Sequence, residues 1–192
     1  MRVLGISGSL RRDSHNRRLL RAAADLLPPG VELVEFDGLK AVPPFDSDDE
    51  HDPALAVRAL RDAIAGADAV LFATPEYNSS VPGVLKNAID WASRPKAEAV
   101  LRNKPVALSG ASTGMFGAVW AQADLRKVLG ASAARVVDRE LPVATAHEAF
   151  DADGRLIDDE LEVELGGILA ELLAEVELQR MSKLVAIGRA AA

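Results

Sequence analysis

The sequence contains no cysteine among its 192 residues. That excludes disulfides, thiolate nucleophiles and cysteine-based metal sites. Histidine is nearly as scarce: His15, His51 and His147 lie far apart, a spacing that argues against a zinc centre. Aromatic residues make up only 4% of the chain and include a single tyrosine, Tyr77. No lysine-rich or arginine-rich run is present, and the formal net charge of −7 argues against general nucleic-acid binding. No stretch approaches the ~18 uninterrupted apolar residues of a membrane span, and the first residues read as a strand rather than a secretory leader. These absences lead us to expect a cytoplasmic protein with neither nucleic acid nor membrane as partner.

What is present has globular proportions, 49% hydrophobic and 27% charged, at a length that fits one domain. Residues 1–180 are expected to form that domain. The alanine-rich tail 181–192 either extends the last helix or is loose. Short apolar runs mark strands at Val3–Ile6, Val31–Phe36, Ala69–Ala73, Pro105–Ser109 and Ala134–Val137, the last with room to continue to Val143. All but the second are nearly continuously apolar, as strands covered on both faces must be.

Helical patterns fall between the strands. Leu19, Leu20, Ala23, Leu26 and Leu27 follow the first. Asp52 as N-cap, with Pro53 behind it, opens a second helix that runs to Gly66. Residues 82–92 and 117–129 supply two more, the latter closed by Gly130, and Leu161, Leu165, Ile168, Leu172 and Val176 stripe the last. The alternation predicts an α/β fold: a doubly wound five-stranded parallel sheet, order 2-1-3-4-5, with helices on both faces.

In such sheets ligands bind beyond the carboxyl ends of the strands, where the strand order reverses. Three unusual loops leave those ends. Residues 7–16, Ser-Gly-Ser-Leu-Arg-Arg-Asp-Ser-His-Asn, join a strand to a helix start. Free N–H groups and the positive end of a helix dipole converge there, which suits a phosphate. Ser7, Ser9, Ser14, Asn16 and one of Arg11 or Arg12 add donors, while the lysine of a nucleotide-triphosphate loop and the G-x-G-x-x-G fingerprint are missing. Residues 74–83 carry Tyr77 between two prolines, which should leave the amides of Tyr77, Asn78 and Ser79 free for the edge of a flat heterocycle. Residues 109–117 hold Gly110, Gly114 and Gly117, where a ligand can approach the backbone. The acidic run Asp46–Asp52 lacks the glycine and terminal glutamate of an EF-hand and reads as a solvated surface.

Three stretches carry a family resemblance: Gly8-Ser9-Leu10-Arg11 with Ser14 and Asn16; Pro75-Glu76-Tyr77-Asn78 continuing through Val81-Pro82-Gly83 to Asp90-Trp91; and Ser112-Thr113-Gly114. Over about residues 1–130 the chain resembles the NADPH-dependent FMN reductases, the flavodoxin-like group that includes bacterial quinone, chromate and azo-dye reductases. The resemblance implies FMN as cofactor, with NADPH or NADH as co-substrate. It puts the FMN phosphate on Ser9, Arg11, Ser14, His15 and Asn16. The flavin ring falls to Pro75, Glu76, Tyr77, Asn78 and Ser79 on one side, and to Ser112 and Gly114 on the other.

The implied activity is hydride transfer from NAD(P)H to the flavin and on to a small-molecule electron acceptor such as a quinone. That chemistry resides on the flavin, so no protein general acid or base is assigned. A homodimer or homotetramer is expected. The start of the fourth helix departs from the family, however: where many relatives carry arginine, tyrosine and histidine, this chain reads Ala118-Val119-Trp120-Ala121, although Arg126 keeps its register. Trp91 and Trp120 are candidates for a subunit interface or for the core. The alternative reading is a flavodoxin-type electron carrier that does not itself oxidise NAD(P)H.

Overall fold

Apolar runs with few polar interruptions can be buried only when both faces of a sheet are covered, and among the described residues five strands and five α-helices do this. The computed structural model describes residues 1–190. In chain order these are β1 (Arg2–Ser7), α1 (His15–Asp25), β2 (Glu32–Glu35), α2 (Leu55–Gly66), β3 (Ala69–Thr74), α3 (Gly83–Ala92), β4 (Pro105–Ala111), α4 (Val119–Ala131), β5 (Arg135–Val143) and α5 (Asp159–Ala190). The sheet is five-stranded with order β2-β1-β3-β4-β5, and every pairing is parallel. The strands and helices expected from periodicity are all present, in the expected order.

Two apolar layers result. On one face Leu19, Leu20 and Ala23 of α1 pack with Leu165, Ile168 and Leu172 of α5 against Val3, Leu71 and Ala107. On the other, Leu60 and Ile64 of α2, Leu85 and Ile89 of α3, and Leu125 and Leu129 of α4 cover Leu4, Phe72 and Leu108. The expected stripe on the last helix is buried from Leu165 to Val176, with Leu161 partly buried. Trp91 belongs to the core at 1% exposure, its indole Nε1–H donating to the Pro43 carbonyl at 2.8 Å. Trp120 lies at the surface, 46% exposed.

The differences from expectation have local causes. The second helix starts at Leu55 and not behind an Asp52 cap, because the N–H groups of Val57 and Arg58 both bond to the carbonyl of Ala54. Asp52 is paired instead with the Arg58 guanidinium, which also reaches the Pro53 carbonyl. The fourth helix begins two residues late, at Val119, because Gly117 and Ala118 both take left-handed φ, and it runs past Gly130 to Ala131. β5 does extend to Val143, with an irregularity in its pairing to β4 between Val106 and Leu108. Residues 181–190 continue α5, while the expectation for 191–192 lies outside the described residues.

Gly117 is where the fold has no latitude. A Cβ there would stand 2.5 Å from the Pro142 main-chain carbon, and its φ is +57°. We predict that Gly117→Ala costs about 2–4 kcal/mol, read from urea unfolding, since left-handed strain adds to a clash with rigid backbone.

Candidate functional site

The ends of β1, β3 and β4 are level in register, Ser7 opposite Ala73 and Thr74 opposite Gly110. The three loops that leave them are therefore neighbours. Gly8 joins the first two: its N–H donates to the Ala73 carbonyl at 2.8 Å, and a Cβ on it would lie 3.2 Å from the Pro75 ring. Asn16 joins the first to the third. Its side-chain NH2 donates to the Ala111 carbonyl and its Oδ1 accepts the Ala111 N–H, both at 2.9 Å, across 95 residues of sequence. Only 2% of Asn16 is exposed. The resemblance gives Asn16 a phosphate-binding role, yet its side chain is engaged with Ala111, which leaves its main-chain N–H as the group available to an anion.

The first loop has the donors a phosphate requires. Ser14 caps α1, its hydroxyl accepting the Arg17 N–H at 3.3 Å. The N–H groups of His15 and Asn16 precede the first intrahelical bond and have no acceptor among the described residues. Ser9 is buried, and its hydroxyl accepts the Arg11 N–H at 3.4 Å. Arg11 and Arg12 are exposed, and among the described residues neither has a carboxylate partner. His15 stacks on Phe150, with ring centroids 6.3 Å apart, and its buried Nδ1 has no hydrogen-bond partner. Burial first, then the positive charges of Arg18 and Arg11, then His147, hold its imidazole below the ordinary 6.5.

The second loop differs in one respect from the reading of its prolines. Residues 77–80 form a tight turn in which Tyr77 and Ser80 exchange both main-chain hydrogen bonds at 3.2 Å. The Tyr77 N–H is therefore not free, and the donors left over are those of Asn78 and Ser79. Both have left-handed φ, +52° and +57°, a conformation that costs a non-glycine residue roughly 1 kcal/mol. Pro75 is buried and the Tyr77 ring is half exposed.

Glu76 turns out to be a tether. Its Oε2 accepts the N–H groups of Trp120 and Ala121 at 3.0 and 3.1 Å, so it caps α4 from a different loop. Ser80 adds a second tie, its hydroxyl donating to Asp124 at 2.7 Å.

The third loop is supported by the chain leaving β5. Ser112 N–H donates to the Val143 carbonyl at 3.1 Å, and Ser112 carbonyl accepts from Ala146 at 2.9 Å. Gly114 N–H donates to the Ser112 hydroxyl at 3.2 Å and its carbonyl accepts from Thr145 at 3.1 Å. Beyond it stand Met115, Phe116, Val119 and Trp120, all exposed, with Phe116 and Trp120 meeting edge-to-face at 4.9 Å. Sequence reasoning gave Trp120 to a subunit interface or the core and missed its pairing with Phe116, as it missed Phe150. Neither belongs to a motif, and only the folded loops bring them to the crevice.

A doubly wound sheet with a phosphate-suited loop, a rigid turn and an apolar rim at its switch point defines a flavodoxin-like nucleotide-binding protein. The chain belongs to the NADPH-dependent FMN reductase family, whose model matches residues 1–148. It is 47% identical over 164 residues to the NAD(P)H-dependent FMN reductase PA1204 of Pseudomonas aeruginosa, covering 83% of this chain and 86% of that one. It is 37% identical over 161 residues to a 2-hydroxy-1,4-benzoquinone reductase from Burkholderia sp, covering 83% and 87%. Among solved structures it is similar to FerB, a flavoenzyme NAD(P)H:(acceptor) oxidoreductase from Paracoccus denitrificans. There the TM-score is 0.81 at 35% identity, with 92% of this chain and 97% of that one covered.

Two predictions follow from these residues. Asn16→Ala removes two buried hydrogen bonds and strands both partners on Ala111, so unfolding stability should fall by about 2–4 kcal/mol in a urea titration. Folding disfavours the charged form of His15, first through burial and then through Arg18 and Arg11. Its contribution is therefore complete above its ordinary value and is lost as pH falls through it towards the depressed folded value. The stability of His15→Gln should fall less steeply between about pH 7 and 5 than that of the unmodified chain; parallel curves would contradict this.

Proposed function

We propose that the crevice binds FMN, phosphate in loop 7–16 and ring between loops 74–82 and 109–117, and that the protein is an NAD(P)H oxidoreductase serving quinone-like acceptors. The observation that carries this reading is the convergence of the three loops, fixed by Asn16 and Gly8, on one crevice. Its phosphate end offers the His15 and Asn16 N–H groups and the Arg11 and Arg12 guanidinium groups, which have no partner among the described residues. The fit is good in chemistry as well as place. Ser9 and the His15 and Asn16 N–H groups would hold the phosphate, with Arg11 supplying charge. Asn78 and Ser79 would offer main-chain donors to the polar edge of the ring, and Ser112 and Gly114 would flank its other side.

When bound, FMN supplies the capacity to take hydride from NAD(P)H and pass reducing equivalents to an acceptor. The residues of the chain supply position. Glu76 is assigned no acid or base role; its Oε2 accepts two N–H groups in capping α4. Its capping keeps the turn 77–80 and the Phe116–Trp120 pair at fixed places around the ring. Tyr77, Phe116 and Trp120 give the open side an apolar surface suited to a flat aromatic acceptor. No described helix is long and apolar enough to cross a membrane. A cytoplasmic location and a homo-oligomeric state complete the proposal.

Anaerobic addition of NADPH to the FMN-loaded protein should bleach the visible flavin absorption, and a benzoquinone should restore it over repeated cycles without a partner reductase. Flavin that stays oxidised until a separate reductase is added would favour the electron-carrier reading. Glu76→Ala should weaken FMN binding about tenfold or more, measured by fluorescence titration, by releasing the turn from α4.

A further inference from the structure

The apolar rim of the crevice is built from two places, the turn at Tyr77 and the run from loop 109–117 into α4. Tyr77, Met115, Phe116, Val119 and Trp120 all stand exposed there. Both places are fixed. Glu76 accepts the Trp120 and Ala121 N–H groups, and Ser80 donates to Asp124 one turn further along, so the turn lies beside the start of α4. The Phe116 carbonyl accepts the Val119 N–H at 3.1 Å, and its ring meets Trp120 edge-to-face at 4.9 Å. Trp120 is thus the central member, with its main chain held by one loop and its indole packed on the other.

What the rim lacks is a cation. Residues 74–83 and 109–118 contain no lysine, arginine or histidine. From Val119 to Arg126 the one basic residue of α4 is Arg126 itself, and its guanidinium is taken by Glu140 and the carbonyls of Val137 and Asp138. Lys127 lines a groove between α3 and the far end of α4, together with Ser93 and Ala131. Lys86 of α3 is paired with Asp90 at 2.7 Å. In the segment behind the third loop, His147 lies 3.4 Å from Glu148. The free guanidinium groups, Arg11 and Arg12, belong to the first loop and the phosphate end. Two carboxylates, by contrast, stand directly behind the rim, Glu76 and Asp124.

Charge decides what such a surface can take. An anion brought onto it gives up water, meets no cation from either loop, and is repelled by both carboxylates. A neutral flat ring gives up only apolar hydration and gains contact with two aromatic side chains already set at an angle to each other. We propose that the rim selects acceptors by charge: it takes neutral aromatic quinones and refuses anionic acceptors, sulfonated rings and oxyanions alike, with Trp120 determining the choice. This rests on the flavin reading and adds to it the class of acceptor. The Trp120 side chain can be changed without undoing the α4 cap, because Glu76 binds its main-chain N–H.

Isothermal calorimetry on the FMN-loaded protein with naphthalene-2-sulfonamide and naphthalene-2-sulfonate tests this at neutral pH. The two compounds are alike in shape, differ in charge and accept no electrons from the flavin. The neutral one should bind at least ~10-fold more tightly. Trp120→Lys should bring the two within ~3-fold or invert their order, Phe116→Lys should act in the same direction, and Trp120→Phe should keep the preference. In turnover, the ratio of kcat/KM for 1,4-naphthoquinone to that for its 2-sulfonate should fall at least ~5-fold in Trp120→Lys. Equal binding of the two naphthalenes by the unmodified protein, or binding of neither, would overturn the proposal. So would a preference that neither lysine variant moves, in protein shown to be folded by circular dichroism. Bleaching of the flavin by NADPH is scored separately. If bleaching fails while the preference holds, the reductase reading falls and the rim remains a site for neutral rings.

Discussion

The crevice depends on the double hydrogen bond between the Asn16 side chain and the Ala111 main chain. A parallel sheet sets the heights of its strand ends but not the paths of the loops beyond them. Asn16 closes that gap by tying the start of α1 to the end of β4, 95 residues away, in a site nearly without solvent. A buried amide with both ends satisfied tolerates little displacement, because any shift strands a polar group. The N-terminus of α1 is thereby fixed relative to the loop that leaves β4.

Around this tie the other restraints are shared between loops. Gly8 lets the first loop lie directly on Pro75, Glu76 and Ser80 bind the second loop to α4, and the segment after β5 supports Ser112 and Gly114. Non-glycine residues with left-handed φ in these loops are Asn78, Ser79 and Ala118. Such strain persists only where the surroundings over-determine it, and here the surroundings are the other loops. Rigidity at the crevice is a property of the set, and it prepares the site to position a flat ligand before one arrives.

Much of this was legible in the residues. Nearly continuous apolar runs such as Ala69–Ala73 and Pro105–Ser109 mean buried parallel strands, and the loops with unusual composition follow those strands. What could not be read was how side chains in one loop satisfy backbone in another. Asn16 and Ala111, or Glu76 and Trp120, are too distant in sequence for any local pattern to pair them. Glu76 thus reads as a flavin neighbour from the sequence, while the structure shows it as a helix cap, and the Tyr77 amide reads as free although the turn to Ser80 consumes it. The Asp52 cap failed for a similar reason, since competition from Arg58 is a tertiary matter that capping propensity does not contain.

The central claim is that loop 7–16 is built for the phosphate of a flavin nucleotide, and comparison of FMN with riboflavin by isothermal calorimetry tests it most directly. The two ligands share the ring and differ in the phosphate. This account predicts that FMN binds at least ~100-fold more tightly, a difference of about 2.7 kcal/mol, and that Arg11→Ala combined with Ser9→Ala removes most of that advantage. Equal affinity for the two ligands, or no binding of either, would contradict it.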